Sequence, residues 1–180
     1  NNLERNFIIK RIGVREMTLF KKTAEDENGS AGFMTSCAVG EVIPVEKIKD
    51  SVFSSKILGE GFGVIPDADN VCSPVSGTVK DITNNGLAIN IKTADGLLIL
   101  VHIGMNLSKR KDSGVRPTVS VGDEIAAGQT ICTADFSGIA ADGYDPTIAV
   151  IITNSDIFRS FKLKTGKINK PGTPVMTYTL

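Results

Sequence analysis

Short apolar runs alternate with turn-forming residues along most of the chain from Gly32 onward. The runs are rich in Val, Ile and Thr, and Gly, Pro, Asn or Asp interrupts them about every eight to twelve residues, a spacing typical of all-β sandwiches and barrels. This pattern predicts strands at residues 40–45, 61–65, 77–82, 87–93, 97–103, 124–133, 148–153 and 174–179. Helical patterning is limited to short pieces near residues 46–51, 54–57 and 156–161. We therefore predict an all-β fold, a β-sandwich or barrel with a few short helical turns.

The first thirty residues differ in character from the rest of the chain. Residues 21–30, KKTAEDENGS, are polar and charged and cannot bury enough apolar surface to fold alone. We predict that residues 1–30 are a flexible N-terminal extension and linker and that residues 31–180 form a single β domain. Met17 has the surroundings of a natural translation start, which leaves residues 1–16 as an extension, a fusion remnant or an alternative start region. The first thirty residues contain no apolar stretch long enough for a signal peptide or a membrane span.

Two glycine motifs each occur twice. AVGEV at residues 38–42 is similar to VSGTV at residues 75–79, so that Gly40 and Gly77 correspond. VGDEI at residues 121–125 is similar to PGTPV at residues 171–175, which pairs Gly122 with Gly172. Any one of these segments is explained by an ordinary turn. Four of them in matched order predict an internal duplication.

The single histidine of the chain, His102, ends the apolar run in LLILVHIGMN (97–106). In a strand of period two, the face that carries His102 also carries Leu98, Leu100 and Gly104, and the apolar residues at 97, 99, 101 and 103 occupy the opposite face. On position alone, a histidine here is more often a structural residue than a catalyst.

Charge and cysteine content narrow the classes of partner. Twenty basic residues balance twenty acidic ones, so no field of the whole chain attracts nucleic acid or an anionic membrane, and partners must recognise local patches. Three widely spaced cysteines, Cys37, Cys72 and Cys132, form no C-x-x-C pair and suit free thiols in a reducing compartment. We therefore predict a cytoplasmic protein that does not bind nucleic acid.

Four segments in order carry a resemblance to a known family. They are GEVIPVEKIKDSVFSSKILGEGFGVIP (40–66), SPVSGTVKDIT (73–83), ADGLLILVHIGMN (94–106) and SVGDEI (120–125). Together they resemble the glucose-type IIA component of the bacterial phosphoenolpyruvate-dependent sugar phosphotransferase system, over residues 36–153. The resemblance implies a β-sandwich or barrel with a duplicated, hammerhead-type motif and a shallow apolar depression on one face.

The resemblance also implies a function. His102 would accept a phosphoryl group from the carrier protein HPr and pass it to a cysteine in the IIB domain of a sugar permease, which would bring the protein to the membrane through its partner. A neutral imidazole, with a reference pKa of about 6.5, meets the need for a nucleophile at neutral pH. This chemistry needs no cofactor or metal, and one histidine with three scattered cysteines cannot form a zinc site of the usual type.

The sequence departs from the family at the site itself. The position of the family's second active-site histidine is occupied by Asn85, which can donate a hydrogen bond but cannot carry a positive charge. Thr83 matches a supporting threonine, and Asn106 stands where the family has an aspartate. Asn85 with Gly86 also has the signature of a two-residue hairpin turn, without any function.

Two interpretations of the site follow. In the first, the chain is an active carrier that uses Asn85 and Asn106 as neutral donors, with positive charge supplied by Lys109, Arg110 and Lys111; the alternative for these three is a solvated loop. In the second, it is a degenerate regulator or sensor that binds partner proteins without efficient onward transfer. In either case we predict that the partner-binding surface comprises Val64, Leu100, Ile103, Gly104 and Asn106.

Two further classes of protein share some of these motifs. Biotinyl and lipoyl carriers use similar turns, but the neighbours of Lys92, the nearest candidate for attachment, do not fit their patterns. Metallopeptidases of related barrel topology need at least two histidines, which excludes them.

Overall fold

The computed structural model of the chain describes residues 31–180, and the predicted extension and linker at residues 1–30 lie outside the described residues. The all-β class is confirmed. The fourteen strands of residues 31–180, numbered along the chain, are β1 (Ala31–Thr35), β2 (Gly40–Pro44), β3 (Glu60–Pro66), β4 (Asn70–Cys72), β5 (Gly77–Thr83), β6 (Ala88–Lys92), β7 (Leu98–Met105), β8 (Val115–Pro117), β9 (Glu124–Ile125), β10 (Thr130–Ala134), β11 (Asp145–Ile152), β12 (Ser160–Leu163), β13 (Gly166–Ile168) and β14 (Pro174–Thr179).

Helices are short and lie in the connections. The helices are α1 (Ser51–Ser54) and α2 (Phe136–Ala141), and the 3-10 turns are Val45–Lys47, Asn84–Gly86, Leu107–Lys109 and Ser155–Ile157. In place of the predicted helical pieces at 46–51 and 54–57, the chain forms the 3-10 turn at Val45–Lys47 and the short helix α1. In place of the piece at 156–161, it forms the 3-10 turn at Ser155–Ile157 and then enters β12. Helix α2 was not predicted, although Asp135 caps it by accepting a hydrogen bond from the Gly138 amide at 2.8 Å.

Each of the eight predicted strands is present, and one of them is divided into two. The predicted strand at 124–133 is two strands, because the chain turns at residues 126–129 with Gly128 at φ +82°. The strands without a prediction are all short or lie at an edge, namely β1, β4, β8, β12 and β13.

The strands form three sheets that enclose one main core. The largest has the order β13-β2-β3-β11-β7-β6-β5-β9, and two three-stranded sheets have the orders β1-β14-β12 and β4-β10-β8. Buried residues of all three sheets, among them Met34, Phe62, Val101 and Ile131, belong to this core. Within residues 31–180, no helix has both the length and the apolar character needed to cross a membrane.

The predicted duplication is visible in the sheet order. The large sheet divides at its centre into β13-β2-β3-β11 and β7-β6-β5-β9, each made of a short edge strand, a hairpin and a central strand. Gly40 opens β2 and pairs with Ile168 of the edge strand, just as Gly77 opens β5 and pairs with Ile125. Each half also has its own three-stranded sheet.

The prediction that Gly122 corresponds to Gly172 is wrong. The Ser36 amide donates to the Thr173 carbonyl and the Ser73 amide donates to the Gln129 carbonyl, both at 2.8 Å. In return, the Gly172 amide donates to the Ser36 carbonyl at 3.4 Å, and the Gly128 amide donates to the Ser73 carbonyl at 2.8 Å. Gly172 therefore corresponds to Gly128 and not to Gly122. The similarity of VGDEI to PGTPV was misleading because both segments contain a short turn before a strand.

We predict that Gly40 and Gly77 are required for stability, because a Cβ atom at either would overlap a backbone carbonyl oxygen of the neighbouring strand, that of Ile65 or Lys92. Gly77→Ala should lower the free energy of unfolding by about 1–3 kcal/mol, since the strands must move apart to admit the methyl group. Chemical denaturation measures this loss, and Thr165→Ala, at an exposed loop position, is the control. Equal stability of the two variants would contradict the close approach.

Candidate functional site

His102 lies on the outer face of the large sheet, as the alternation in β7 predicted. Ile99, Val101 and Ile103 are at most 1% exposed and point into the main core. Leu98 is exposed, and Leu100 and His102 are partly exposed. The single imidazole of the chain is therefore kept out of the core by strand geometry alone.

Small side chains surround His102 in the sheet. Its register partners are Ala149 on β11 and Ala88 on β6, and Ala149 in turn pairs with Gly63 on β3. Gly63 pairs with Ile43 of β2, and Ala88 pairs with Thr83 of β5, so six residues form one row across the sheet, which we call the histidine row. The imidazole is therefore flanked in the sheet by two side chains that carry only a methyl group, and both alanines are buried.

Two connections leave the sheet at the histidine row. Residues 45–59 join β2 to β3, and residues 84–87 join β5 to β6. These hairpins are equivalent in the two halves of the duplication, but the first connection is much longer than the second. The Ile103 amide donates to the Leu87 carbonyl at 2.8 Å, which holds the short connection against β7.

The long connection covers the sheet beside His102 with a second apolar cluster. Its members, from the connection and from the outer face of the sheet, are Ile43, Val45, Ile48, Phe53, Met105, Ala149 and Ile151. The Phe53 ring lies against the imidazole of His102, with 5.1 Å between ring centroids and an interplanar angle of 53°. A Cβ atom at Gly63 would crowd Ile43 and Ile48, so the glycine makes room for this cluster.

The environment of His102 favours a neutral imidazole. Burial lowers the pKa of His102, and the backbone of Gly104 and the carboxylate of Asp50 oppose this by raising the pKa. Nδ1 is buried and makes no hydrogen bond with residues 31–180 that meets ordinary geometric criteria. Gly104 raises the pKa through its backbone, so its carbonyl oxygen is the group that can accept a hydrogen bond from the ring.

Asp50 is a site residue that sequence reasoning missed. Its side chain caps α1 by accepting a hydrogen bond from the Val52 amide at 2.9 Å, and this fixes the carboxylate at the start of the helix. It is the charged side chain that shifts the pKa of His102. The sequence signal was available, since an aspartate directly before the helical piece S-V-F-S has the signature of an N-cap.

Asn85 lies at the centre of the short connection, exposed and in the left-handed region with φ 57° and ψ 37°. The two-residue hairpin expected for Asn85-Gly86 does not form, because Thr83 pairs with Ala88 and four residues separate them. Asn85 lines a cleft of about 470 Å³, together with Leu87, Leu107, Ser108, Arg110, Lys111, Asp112, Ser113, Val115 and Arg116. His102 is not among these lining residues.

The three cations of the neighbouring loop differ in their surroundings. Arg110 makes an ion pair with Asp142, with 2.7 Å between Nη2 and the carboxylate oxygen. Lys109 and Lys111 are exposed, and neither contributes to the pKa shift of His102. These positions fit a solvated loop, and contact with a phosphoryl group on His102 stays a prediction.

Four further predicted site residues lie on or beside β7 and β5. Leu100 shares the face of His102, and exposed Asn106 follows β7 in the left-handed region with φ 59°. Thr83 is partly buried at the end of β5. Gly104 is buried with φ +66° and lies against Leu107, so it shapes the backbone after His102.

Val64 and Ile103 require a correction. Both are 0% exposed in the main core, so their side chains cannot contact a partner. Ile103 alternates with His102 along β7, and Val64 lies in the same core row through their shared register partner Ile148. Exposed apolar side chains on and beside the outer face are instead found at Val52, Ile57, Leu98 and Ile65.

Comparisons with known proteins agree with this arrangement. Residues 33–158 match the family model described as the phosphoenolpyruvate-dependent sugar phosphotransferase system, EIIA 1. The chain is 41% identical over 134 residues to the PTS system glucose-specific EIICBA component of Streptococcus pneumoniae, a match that covers 74% of this chain and 18% of that protein. It is 34% identical over 125 residues to the PTS system glucose-specific EIIA component of Staphylococcus epidermidis, covering 69% of this chain and 75% of that protein.

A solved structure has the same fold. Glucose permease IIA from Mycoplasma capricolum superposes with a TM-score of 0.72 at 25% sequence identity, covering 82% of this chain and 96% of that chain. The chain thus spans less than a fifth of the streptococcal relative and nearly the whole of the solved IIA structure.

We predict that Asp50→Asn lowers the pKa of His102 further, because the carboxylate stabilises the imidazolium and its removal leaves burial less opposed. A pH titration of the imidazole ring protons by NMR measures this directly, since the chain has one histidine. Asp156→Asn, at an exposed position away from the site, should leave the titration unchanged. An unchanged or raised pKa in Asp50→Asn would contradict the assigned role of Asp50.

Proposed function

The chain belongs to the EIIA 1 family of the phosphoenolpyruvate-dependent sugar phosphotransferase system, and we propose that it is a phosphocarrier in which His102 accepts a phosphoryl group from HPr and passes it to the IIB domain of a sugar permease. The observation that carries this proposal is the place of the one imidazole, partly exposed in the histidine row and beside Phe53. Its surroundings keep it neutral and therefore nucleophilic near pH 7.

The buried Nδ1 favours Nε2 as the nitrogen that reacts. A donor protein cannot bring its phosphoryl group to an atom that is enclosed by this chain. A proton on Nδ1, directed to the Gly104 carbonyl, leaves the lone pair on Nε2. The Nε2–P bond then forms as the N–P bond of the donor breaks, and in a second step the S–P bond to a cysteine thiolate of the IIB domain forms as the Nε2–P bond breaks.

The second apolar cluster supports a carrier role for His102. A phosphoramidate bond is labile, so a carrier must limit the access of water to the phosphorylated ring. Phe53 packs on one side of the imidazole, and the side chains next to it in the sheet are the methyl groups of Ala88 and Ala149. A docked partner completes this apolar enclosure and brings its own donors for the phosphate oxygens.

Asp50 fits the docking of a cationic partner surface. A carboxylate beside a group that becomes dianionic is unfavourable in isolation. The same carboxylate is favourable once a partner places a guanidinium or ammonium group between the two. Exposed Val52 and Leu98 and partly exposed Leu100 provide apolar contact area near it, and we propose this set in place of the buried Val64 and Ile103.

We place the protein in the cytoplasm, where HPr would meet it. Cys37, Cys72 and Cys132 are buried free thiols. Burial raises the pKa of Cys132 to about 12 and raises the pKa of Cys37 even more strongly, so these thiols are inert at neutral pH. A reducing compartment suits such a set.

We predict that incubation with phosphoenolpyruvate, the first enzyme of the system and HPr adds the mass of one phosphoryl group to the protein. Intact-mass spectrometry measures the gain, and His102→Ala should abolish it. No gain in the wild type would overturn the carrier role and leave the regulatory alternative. A gain that persists in His102→Ala would show that another residue is the acceptor.

We predict that Asn85→His speeds onward transfer from phosphorylated His102 to an isolated IIB domain by roughly tenfold or more, because a second imidazole can carry charge that stabilises the transition state and an amide cannot. Asn85→Gln, which keeps the amide, should behave like the wild type. Single-turnover transfer followed with labelled phosphate separates this step from phosphorylation by HPr. Equal rates in the wild type and Asn85→His would show that the neutral residue is not limiting.

A further inference from the structure

The chain has no net charge, yet its C-terminal part carries a strongly basic segment. Residues 159–170 contain five basic residues and no acidic one, namely Arg159, Lys162, Lys164, Lys167 and Lys170. All five are exposed. Lys167 forms an ion pair with Asp67, and within residues 31–180 the other four make none. We call residues 159–170 the basic segment.

The basic segment is held on rigid sheet edges and is not a loose tail. It comprises β12, an edge of the sheet β1-β14-β12, and β13, an edge of the large sheet. Arg159 and Lys164 donate their backbone amides to Thr179 and Val175 of β14, at 2.9 and 2.7 Å. The positions of these charges are therefore set by the fold.

An exposed aromatic side chain lies among these charges. Phe33 and Lys162 are the two register partners of Thr177, on opposite sides of β14, so all three side chains point to the same face of the sheet. Phe33 is 45% exposed. Lys164 follows the end of β12, where its backbone amide is bonded to Val175 of β14. The face thus combines a large apolar ring with the ammonium group of Lys162, which makes no ion pair within residues 31–180.

Protection of open sheet edges explains some of these lysines but not the whole pattern. Charged side chains, and lysine above all, discourage pairing of an edge strand with another chain. Edge protection therefore accounts for single lysines on β12 and β13, but not for five basic residues without an acidic one over residues 159–170 or for the exposed Phe33 beside Lys162. An anionic surface with an apolar layer beneath it fits both features.

From this combination we propose that the basic segment, with Phe33, binds the surface of an anionic lipid bilayer. The ammonium and guanidinium groups contact lipid phosphates, and the Phe33 ring enters the boundary between headgroups and acyl chains. A nucleic acid would also attract the charges, but one aromatic ring on a flat sheet provides no groove for its backbone. The biological reason for the contact rests on the proposed function, since a IIB acceptor belongs to a permease in the membrane.

The bilayer contact leaves the His102 site free. Tyr178 of β14 donates to Asp95 at 3.0 Å, which ties the three-stranded sheet to the turn before β7. That turn precedes Leu98, whereas His102 lies four residues further along β7, roughly 13 Å away at the rise of a strand. Lipid binding is therefore expected to increase the local concentration of the carrier near a permease without taking part in phosphoryl transfer.

The test is co-sedimentation of the full chain with vesicles of phosphatidylglycerol and phosphatidylcholine, and with vesicles of phosphatidylcholine alone. We expect binding to the anionic vesicles only, weakened by added salt. The double variant Lys162→Glu/Lys164→Glu should bind roughly tenfold more weakly or not at all, and Phe33→Thr should also bind more weakly. Lys80→Glu/Lys92→Glu, which changes the net charge equally at exposed positions of the large sheet, is the matched control and should bind like the wild type.

Each other outcome overturns the proposal. No difference between anionic and neutral vesicles, or equal losses in the two double variants, would show that the basic segment is not a lipid site. Unchanged binding in Lys162→Glu/Lys164→Glu would assign binding to another region, including residues 1–30, which are identical in all variants. Stronger binding to duplex DNA than to anionic vesicles at the same ionic strength would favour a nucleic acid instead. Phosphorylation of the same variants by soluble HPr is measured separately, so failure of lipid binding and failure of the carrier role are distinguishable.

Discussion

The antiparallel register of β7 with its two neighbours is the constraint on which the site depends. Because side chains alternate between faces, a shift of one residue would turn His102 into the core and bring Val101 and Ile103 to the surface. Burial maintains this register, because Val101 and Ile103 are both completely enclosed in a core that all three sheets share. The position of the imidazole is thus determined by the apolar residues on the other face of the same strand.

Two opposing effects then set the chemistry of that imidazole. Desolvation by Phe53 and its neighbours lowers the pKa of His102 and favours the neutral ring, whereas the carboxylate of Asp50 favours the charged ring. Burial is the stronger of the two. A site that relied on the carboxylate alone would hold an imidazolium, which has no lone pair to offer. The partial exposure of His102 is the compromise that keeps the ring neutral and still reachable by a partner.

Local patterns predicted much of the fold, and long-range pairing accounts for what they missed. The apolar runs predicted the long central strands and the faces of β7, because such strands are stabilised by their own alternation. Strands of three residues, such as β4 and β8, have too few positions to show a period and form only because β10 lies between them. The assignment of Val64 to a docking face had no support in alternation, and Asp50 became visible as a site residue only when the connection folded over β7. Likewise, the correspondence of Gly128 with Gly172 is defined by hydrogen bonds to Ser73 and Ser36, which no similarity of neighbouring letters reveals.

The site arises where the duplication is least regular. The two halves of the large sheet contribute equivalent hairpins, and both hairpin connections leave the sheet at the histidine row. The connection at residues 45–59 is long enough to form α1 and supplies Phe53 and Asp50. The equivalent connection at residues 84–87 is too short to form a helix, and it supplies Asn85. If both connections were long, His102 would be covered from two sides and closed to a partner protein; if both were short, the imidazole would be solvated and protonated more readily. The inequality of two repeated hairpins therefore places one apolar wall beside His102 and keeps the ring partly exposed.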